Sequence, residues 1–141
     1  HAEANHVSVT YVCEPIEHFK APSFDIVTCM EMLEHVPEPE CVIEHCVRLL
    51  KPGGYLFLST INRTAQAYAS VVVAAEYILK LLPRQTHDFE RFLKPSELAA
   101  TTRLFGLETV GIAGISYQPF TRKATLQEGV NVNYLLACRR P

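Results

Sequence analysis

The 141 residues carry a formal charge of −2 and are 48% hydrophobic. That is enough apolar material for one core, without the basic excess that a nucleic-acid partner requires. The five cysteines are odd in number and form no Cys-x-x-Cys pair, which suits a reducing compartment better than a secreted disulfide framework.

The chain opens on His1 and a polar stretch, and no signal-peptide pattern follows. Residues 9–12 (Val-Thr-Tyr-Val) have strand character. The expectation is therefore a start inside a larger domain. Residues 24–29 (Phe-Asp-Ile-Val-Thr-Cys) and 55–61 (Tyr-Leu-Phe-Leu-Ser-Thr-Ile) are nearly continuous apolar runs of the kind found in buried parallel strands. Between them, residues 38–50 place Val42, Ile43, Cys46, Val47, Leu49 and Leu50 at helical spacing, with Pro39 near the start and Pro52-Gly53-Gly54 beyond the end. Residues 24–61 thus read as one right-handed β-α-β crossover.

Residues 65–82 read as a second helix, either a buried or lid helix or one in contact with lipid. The apolar stretch 67–83 is interrupted by Ser70, Glu76 and Lys80 and falls short of the ~20 apolar residues of a membrane span. Residues 95–105 read as a third helix, with Ser96 as candidate cap and Gly106 as its end. Residues 107–117 and 130–138 are two final strands without a helix between them, expected to pair antiparallel.

Several sequence words carry a resemblance. Residues 24–36, which end in Met30-Glu31-Met32-Leu33-Glu34-His35-Val36, and the turn Leu50-Lys51-Pro52-Gly53-Gly54-Tyr55-Leu56 resemble the fourth strand and the turn into the fifth strand of class I methyltransferases. The finer resemblance is to the ubiquinone biosynthesis O-methyltransferases, in wording nearer to bacterial members. It is carried by residues 30–37, Ser59-Thr60-Ile61-Asn62-Arg63, Ala75-Glu76-Tyr77-Ile78-Leu79, Thr86-His87-Asp88, Lys94-Pro95-Ser96-Glu97-Leu98 and Val132-Asn133-Tyr134.

The resemblance implies an α/β, Rossmann-like class I fold, with a mostly parallel sheet and an antiparallel last strand pair. The N-terminal strands would be missing, residues 1–141 being the C-terminal part of a single domain. No Gly-x-Gly-x-x-Gly is present, and all six glycines lie from Gly53 onward, so the cofactor-binding turn is expected upstream. The chain alone is expected to bind cofactor poorly, to be inactive, and to be marginally stable.

The implied activity is transfer of methyl from S-adenosylmethionine to polyprenyl catechol intermediates of ubiquinone biosynthesis. That chemistry needs aligned reactants and an activated phenol, which a divalent cation, expected as Mg2+, would provide. Glu31, Glu34 and His35 fall at i, i+3 and i+4 beyond a strand's C-terminal end, where one helical turn would put them on one face. The resemblance implies the trio as metal ligands and Met30 as part of the cofactor pocket; the plainer reading is two solvated glutamates and a capping histidine. Cys41, His45 and Cys46 share helical spacing, but the apolar pattern accounts for the cysteines. His87 is either a general base or a surface histidine. Asn62, Arg63, Tyr117 and Asn133 lie near strand ends, within reach of a substrate.

Further expectations are peripheral membrane contact through residues 67–82, membership of a ubiquinone-biosynthesis protein complex, and a cytoplasmic location at the inner face of the inner membrane (the mitochondrial matrix in a eukaryote). Two rival readings stand beside these: another class I small-molecule methyltransferase, and a non-catalytic module that binds lipid or protein.

Overall fold

The computed structural model describes residues 3–70, 88–118, 121 and 123–141. Five strands form one sheet in the order β1-β2-β5-β3-β4: β1 (Phe24–Met30), β2 (Leu50–Ile61), β3 (Glu108–Gln118), β4 (Lys123–Gln127) and β5 (Asn133–Arg139). The helices are α1 (Pro39–Arg48), a short α2 (Ala65–Ala67) and α3 (Pro95–Leu104). Thr64 caps α2, its side chain accepting from the Ala67 N–H at 3.0 Å.

β1 and β2 pair parallel, from Ile26 opposite Tyr55 to Met30 opposite Ser59, with α1 as the connection. β5 pairs antiparallel with both β2 and β3. β1, β2 and β3 therefore share a direction, yet among the described residues only one ladder is parallel, because β5 lies between β2 and β3. The last two expected strands do pair antiparallel, from Thr109 opposite Cys138 to Ile115 opposite Asn133.

Side chains alternate along a strand, and the sheet's two faces differ accordingly. Leu56, Leu58, Tyr134, Leu136 and Cys138 point to one face, with Cys29 of β1 beside them. They pack under Val42, Ile43 and Cys46 of α1 and Leu98 of α3 in one core cluster. The apolar spacing read in residues 38–50 is thus the face that α1 buries. Pro39 opens α1 at its first turn, where its missing N–H is not needed. Gly106 follows α3 at φ +79°, a left-handed conformation that a residue with a Cβ adopts only at a cost.

Three expectations change. Residues 9–12 form no strand, and Val9, Tyr11 and Val12 are exposed. Among the described residues β1 pairs only with β2, so these residues have no ladder to join. α3 begins at Pro95, with Lys94 rather than Ser96 at the cap; the Glu97 carboxylate accepts from the Lys94 N–H at 3.1 Å. β4, a wholly exposed edge strand hairpinned to β3, falls between the two final strands expected from sequence, where no element is expected. Of the second expected helix only the first residues are described, and residues 71–82 and His87 lie outside the described residues. Among those described, no helix is long and apolar enough to cross a membrane.

Candidate active site

The C-terminal ends of β1, β2 and β3 meet the start of β5 at one edge of the sheet. Open α/β sheets bind ligands at this edge. The segment 130–132 is pinned there: Asn62 donates its N–H to the Val132 carbonyl at 2.7 Å and Nδ2 to the Val130 carbonyl at 2.8 Å. Thr64 Oγ1 donates to the Asn131 carbonyl. Of the four strand-end residues expected near substrate, Asn62 and Asn133 therefore act on this edge through bonds to the protein. Arg63 instead forms an ion pair with Glu97 beside a cavity of about 260 Å3 between α1 and α3. Tyr117 is exposed at the end of β3.

Glu31 does not begin a helical turn. It follows β1 in a left-handed backbone conformation, φ +48°. Its N–H donates to both the carbonyl and the Oγ of Ser59, each at 3.0 Å. Its Oε2 accepts from Asn133 Nδ2 at 3.1 Å. Glu34 sits in a single 3-10 turn, Leu33–His35. It is 4% exposed, and its Oε2 accepts from Thr60 Oγ1 at 2.7 Å. Glu34 Oε1 is buried with no hydrogen-bond partner. His35 is exposed at the end of that turn.

This geometry corrects the expectation that one helical turn presents Glu31, Glu34 and His35 on one face. Ser59 and Thr60 are consecutive strand residues and point to opposite faces of the sheet. Glu31 is therefore held on the Ser59–Asn133 side and Glu34 on the Thr60–Tyr134 side. Among the described residues no three His, Cys, Asp or Glu side chains gather to hold a metal ion. The Cys41, His45 and Cys46 set forms no such cluster either, and Cys46 belongs to the core. The fit to a cation is thus partial: one orphaned buried carboxylate oxygen, without a closed ligand set.

Met30 ends β1, half-exposed, and lines a cavity of about 490 Å3 with Ile16, Val27, Cys29, Met32 and Val36. Its volume is in the range of small-ligand pockets, about 300–1,000 Å3. Cys46 also borders this cavity. The Cys29 thiol beside it and burial both push the Cys46 thiol well above its ordinary value, so it is an inert thiol rather than a nucleophile. Burial, with the Glu97 and Glu34 carboxylates adding to it, likewise raises the Tyr134 phenol.

Sequence marks Asn133 only by its place near a strand end and does not distinguish Ser59 and Thr60 as gripping residues. Their one signal is the placement of Ser59 and Thr60 at the end of an otherwise apolar buried run, where polar side chains persist when they are bonded.

The comparisons with known proteins agree with this architecture. Residues 1–58 match the family model described as a methyltransferase domain. The solved structures it resembles include a SAM-dependent methyltransferase from Thermotoga maritima (19% identity, TM-score 0.66, 99% of this chain and 69% of that one). Another is the N-methyltransferase NodS from Bradyrhizobium japonicum, with bound S-adenosyl-L-homocysteine (17%, TM-score 0.59, 99% and 58%). At such identities these structures speak to fold alone, and the fold is that of the Rossmann-like, class I S-adenosylmethionine-dependent methyltransferases. By sequence the chain is similar to proteins named ubiquinone biosynthesis O-methyltransferase. It is 53% identical over 136 residues to the one from Thiobacillus denitrificans, covering 94% of this chain and 59% of that protein. It is 50% identical over 143 positions to the one from Chromobacterium violaceum, covering 99% and 62%. The chain spans about three-fifths of the length of these relatives.

Proposed function

We propose that this chain is the C-terminal part of an S-adenosylmethionine-dependent O-methyltransferase domain that methylates polyprenyl catechols in ubiquinone biosynthesis. The observation that carries the reading is identity of about half along nearly the whole chain with relatives named ubiquinone biosynthesis O-methyltransferase. It is supported by polar groups at the strand edge where a class I sheet takes its ligands.

S-adenosylmethionine supplies an electrophilic methyl group when bound. The chain's own residues do the rest. Met30 and Met32 offer an apolar wall to the cofactor beside β1. Glu31 presents a carboxylate at the edge, able to accept a hydrogen bond from a phenolic hydroxyl and so to orient it for in-line attack. Asn62 and Thr64 fix the segment 130–132 that borders the same edge.

A divalent cation, with Mg2+ the first candidate, is a second element of this proposal. Its support is the orphaned Glu34 Oε1, an oxygen donor that suits a hard ion; Glu31 and His35 would have to turn toward Glu34 to complete the ligand set. Peripheral membrane contact through residues 67–82, a place in a ubiquinone-biosynthesis complex, and a cytoplasmic site at the inner membrane (or the matrix) belong to the same reading, since a polyprenyl acceptor resides in lipid.

The test is methyl transfer from labelled S-adenosylmethionine to a short-chain polyprenyl catechol by the full natural protein that contains this chain. It is run with and without a chelator, and with Glu31→Ala alongside. Activity lost in the variant and under chelation, and restored by Mg2+, supports enzyme and cation together. Activity that survives the chelator discards the cation. No transfer by a protein that binds cofactor points to another acceptor or to a non-catalytic module.

A further inference from the structure

We infer that Asn133 and Ser59 are positioning residues that hold Glu31 as the acceptor-facing carboxylate of the site. This rests on the methyl-transfer reading above and deepens it by naming what sets the carboxylate's place.

The argument starts from the backbone. Glu31 is one of two non-glycine residues at positive φ among those described, and a residue with a Cβ keeps that conformation only where its surroundings fix it. Glycine would take the same φ without strain, but it would bring no carboxylate. The surroundings are rigid ones. Ser59 is 1% exposed within β2, and it receives the Glu31 N–H on two oxygens. Asn133 opens β5 between Ile61 of β2 and Ile115 of β3, both in register with it. Its amide reaches across a separation of 102 residues to the Glu31 carboxylate.

Backbone and side chain of Glu31 are thus fixed from two strands on the same face. Sites held by strands are more exact than sites held by loops. Glu34 is held on the other face by Thr60 and is almost wholly buried. The structure therefore separates two carboxylates that look alike in sequence. Glu31 is set for a hydrogen-bond donor arriving at the strand edge, such as a catechol hydroxyl, and Glu34 lies beneath.

The experiment is a double-mutant cycle in the full natural protein, with Asn133→Ala, Ser59→Ala, Glu31→Ala and the Asn133→Ala/Glu31→Ala pair. Readouts are kcat/KM for a short-chain polyprenyl catechol, S-adenosylmethionine affinity by calorimetry, and melting temperature. Asn133→Ala is expected to lower kcat/KM about tenfold, the scale of one charge-assisted hydrogen bond, with cofactor affinity unchanged. In the Glu31→Ala background the same change should have no further effect, as expected for residues acting through one another. Ser59→Thr, which keeps the hydroxyl, should restore most of what Ser59→Ala loses. Losses that multiply in the double variant, or that track cofactor affinity or melting temperature, overturn the positioning role while leaving the methyltransferase reading intact. Inactivity of the parent on every catechol overturns the reading, and the inference with it.

Discussion

Thr60→Val tests how the buried charge of this site is held. Thr60 is 0% exposed, and its hydroxyl donates at 2.7 Å to Glu34 Oε2, the other oxygen of that carboxylate having no partner. Valine matches threonine in shape, so the substitution removes the bond without opening a cavity. A hydrogen bond to a charged group contributes about 1.5–3 kcal/mol, and an orphaned buried charge sits at the upper end. The expected loss is about 2–3 kcal/mol, or roughly 5–10 °C in Tm for a protein of 150–250 residues.

Urea unfolding of the full natural protein followed by circular dichroism reads it, with a lowered midpoint and an unchanged m-value. Thr60→Ser keeps the donor and should lose less than about 1 kcal/mol. Thr60→Val combined with Glu34→Met removes both partners and should regain most of the loss, because replacing both ends of a buried polar pair with apolar groups is nearly neutral. If Thr60→Val stays within about 0.5 kcal/mol of the parent, the ordinary scatter of a neutral substitution, Glu34 is not held by this bond in solution.

Three further outcomes follow from the packing. Tyr134 donates to the Leu93 carbonyl at 3.0 Å, and its phenol is raised above the ordinary value by burial and by the Glu97 and Glu34 carboxylates. The unfolded chain loses that proton near pH 10 while the folded chain keeps it, so this contribution is complete below about pH 10 and is lost as the pH climbs above it. Tyr134→Phe should cost about 1 kcal/mol at neutral pH and flatten the alkaline decline in urea-unfolding stability; an equally steep decline in the variant would contradict the assignment. Leu58→Ala, at a fully buried position in the centre of β2, should cost about 2–5 kcal/mol by the same assay. A Cβ at Gly114 would lie 1.7 Å from the Gly129 carbonyl oxygen, so Gly114→Ala must displace the turn before β5 and should destabilise by about 1–3 kcal/mol; a neutral melt would mean that turn yields freely.

The elements with strong apolar runs were legible in the sequence, and the fine structure of the site was not. β2 and β5 are buried on one face or both, so continuous or alternating apolar residues mark them; β1 carries the same apolar run, yet Cys29 is its one buried residue. α1 and α3 carry proline at the first turn. β4 escaped because a wholly exposed edge strand needs no apolar pattern. Residues 9–12 misled for the converse reason: strand propensity describes a side chain's fit to a pleated surface, and a strand exists only once a partner supplies the ladder. The Glu31–Glu34–His35 spacing suggested a helical turn because spacing says nothing of φ. The bonds from Ser59 and Asn133 that set Glu31 at +48° span 28 and 102 residues, beyond any local pattern.

The unequal faces of the sheet decide how the isolated 141-residue chain should behave. One face lies under α1 and α3. The opposite face carries Ile26, Met30, Tyr55, Tyr117 and Leu126, all exposed, the last two by 60% and 68%. Among the described residues it is covered only at the corner where Ile61 meets Ala67 and Phe92. Burying a large apolar side chain contributes about 1.5–3 kcal/mol, so covering five of them outweighs any single bond in the site and rivals the 5–15 kcal/mol net stability of a whole domain. The isolated chain should therefore melt broadly at modest temperature and bind a hydrophobic dye such as ANS, while the full natural protein melts cooperatively and binds little. A sharp, high-temperature melt of the isolated chain without dye binding would show that this face needs no cover, and that the carboxylates at its edge are held by the sheet alone.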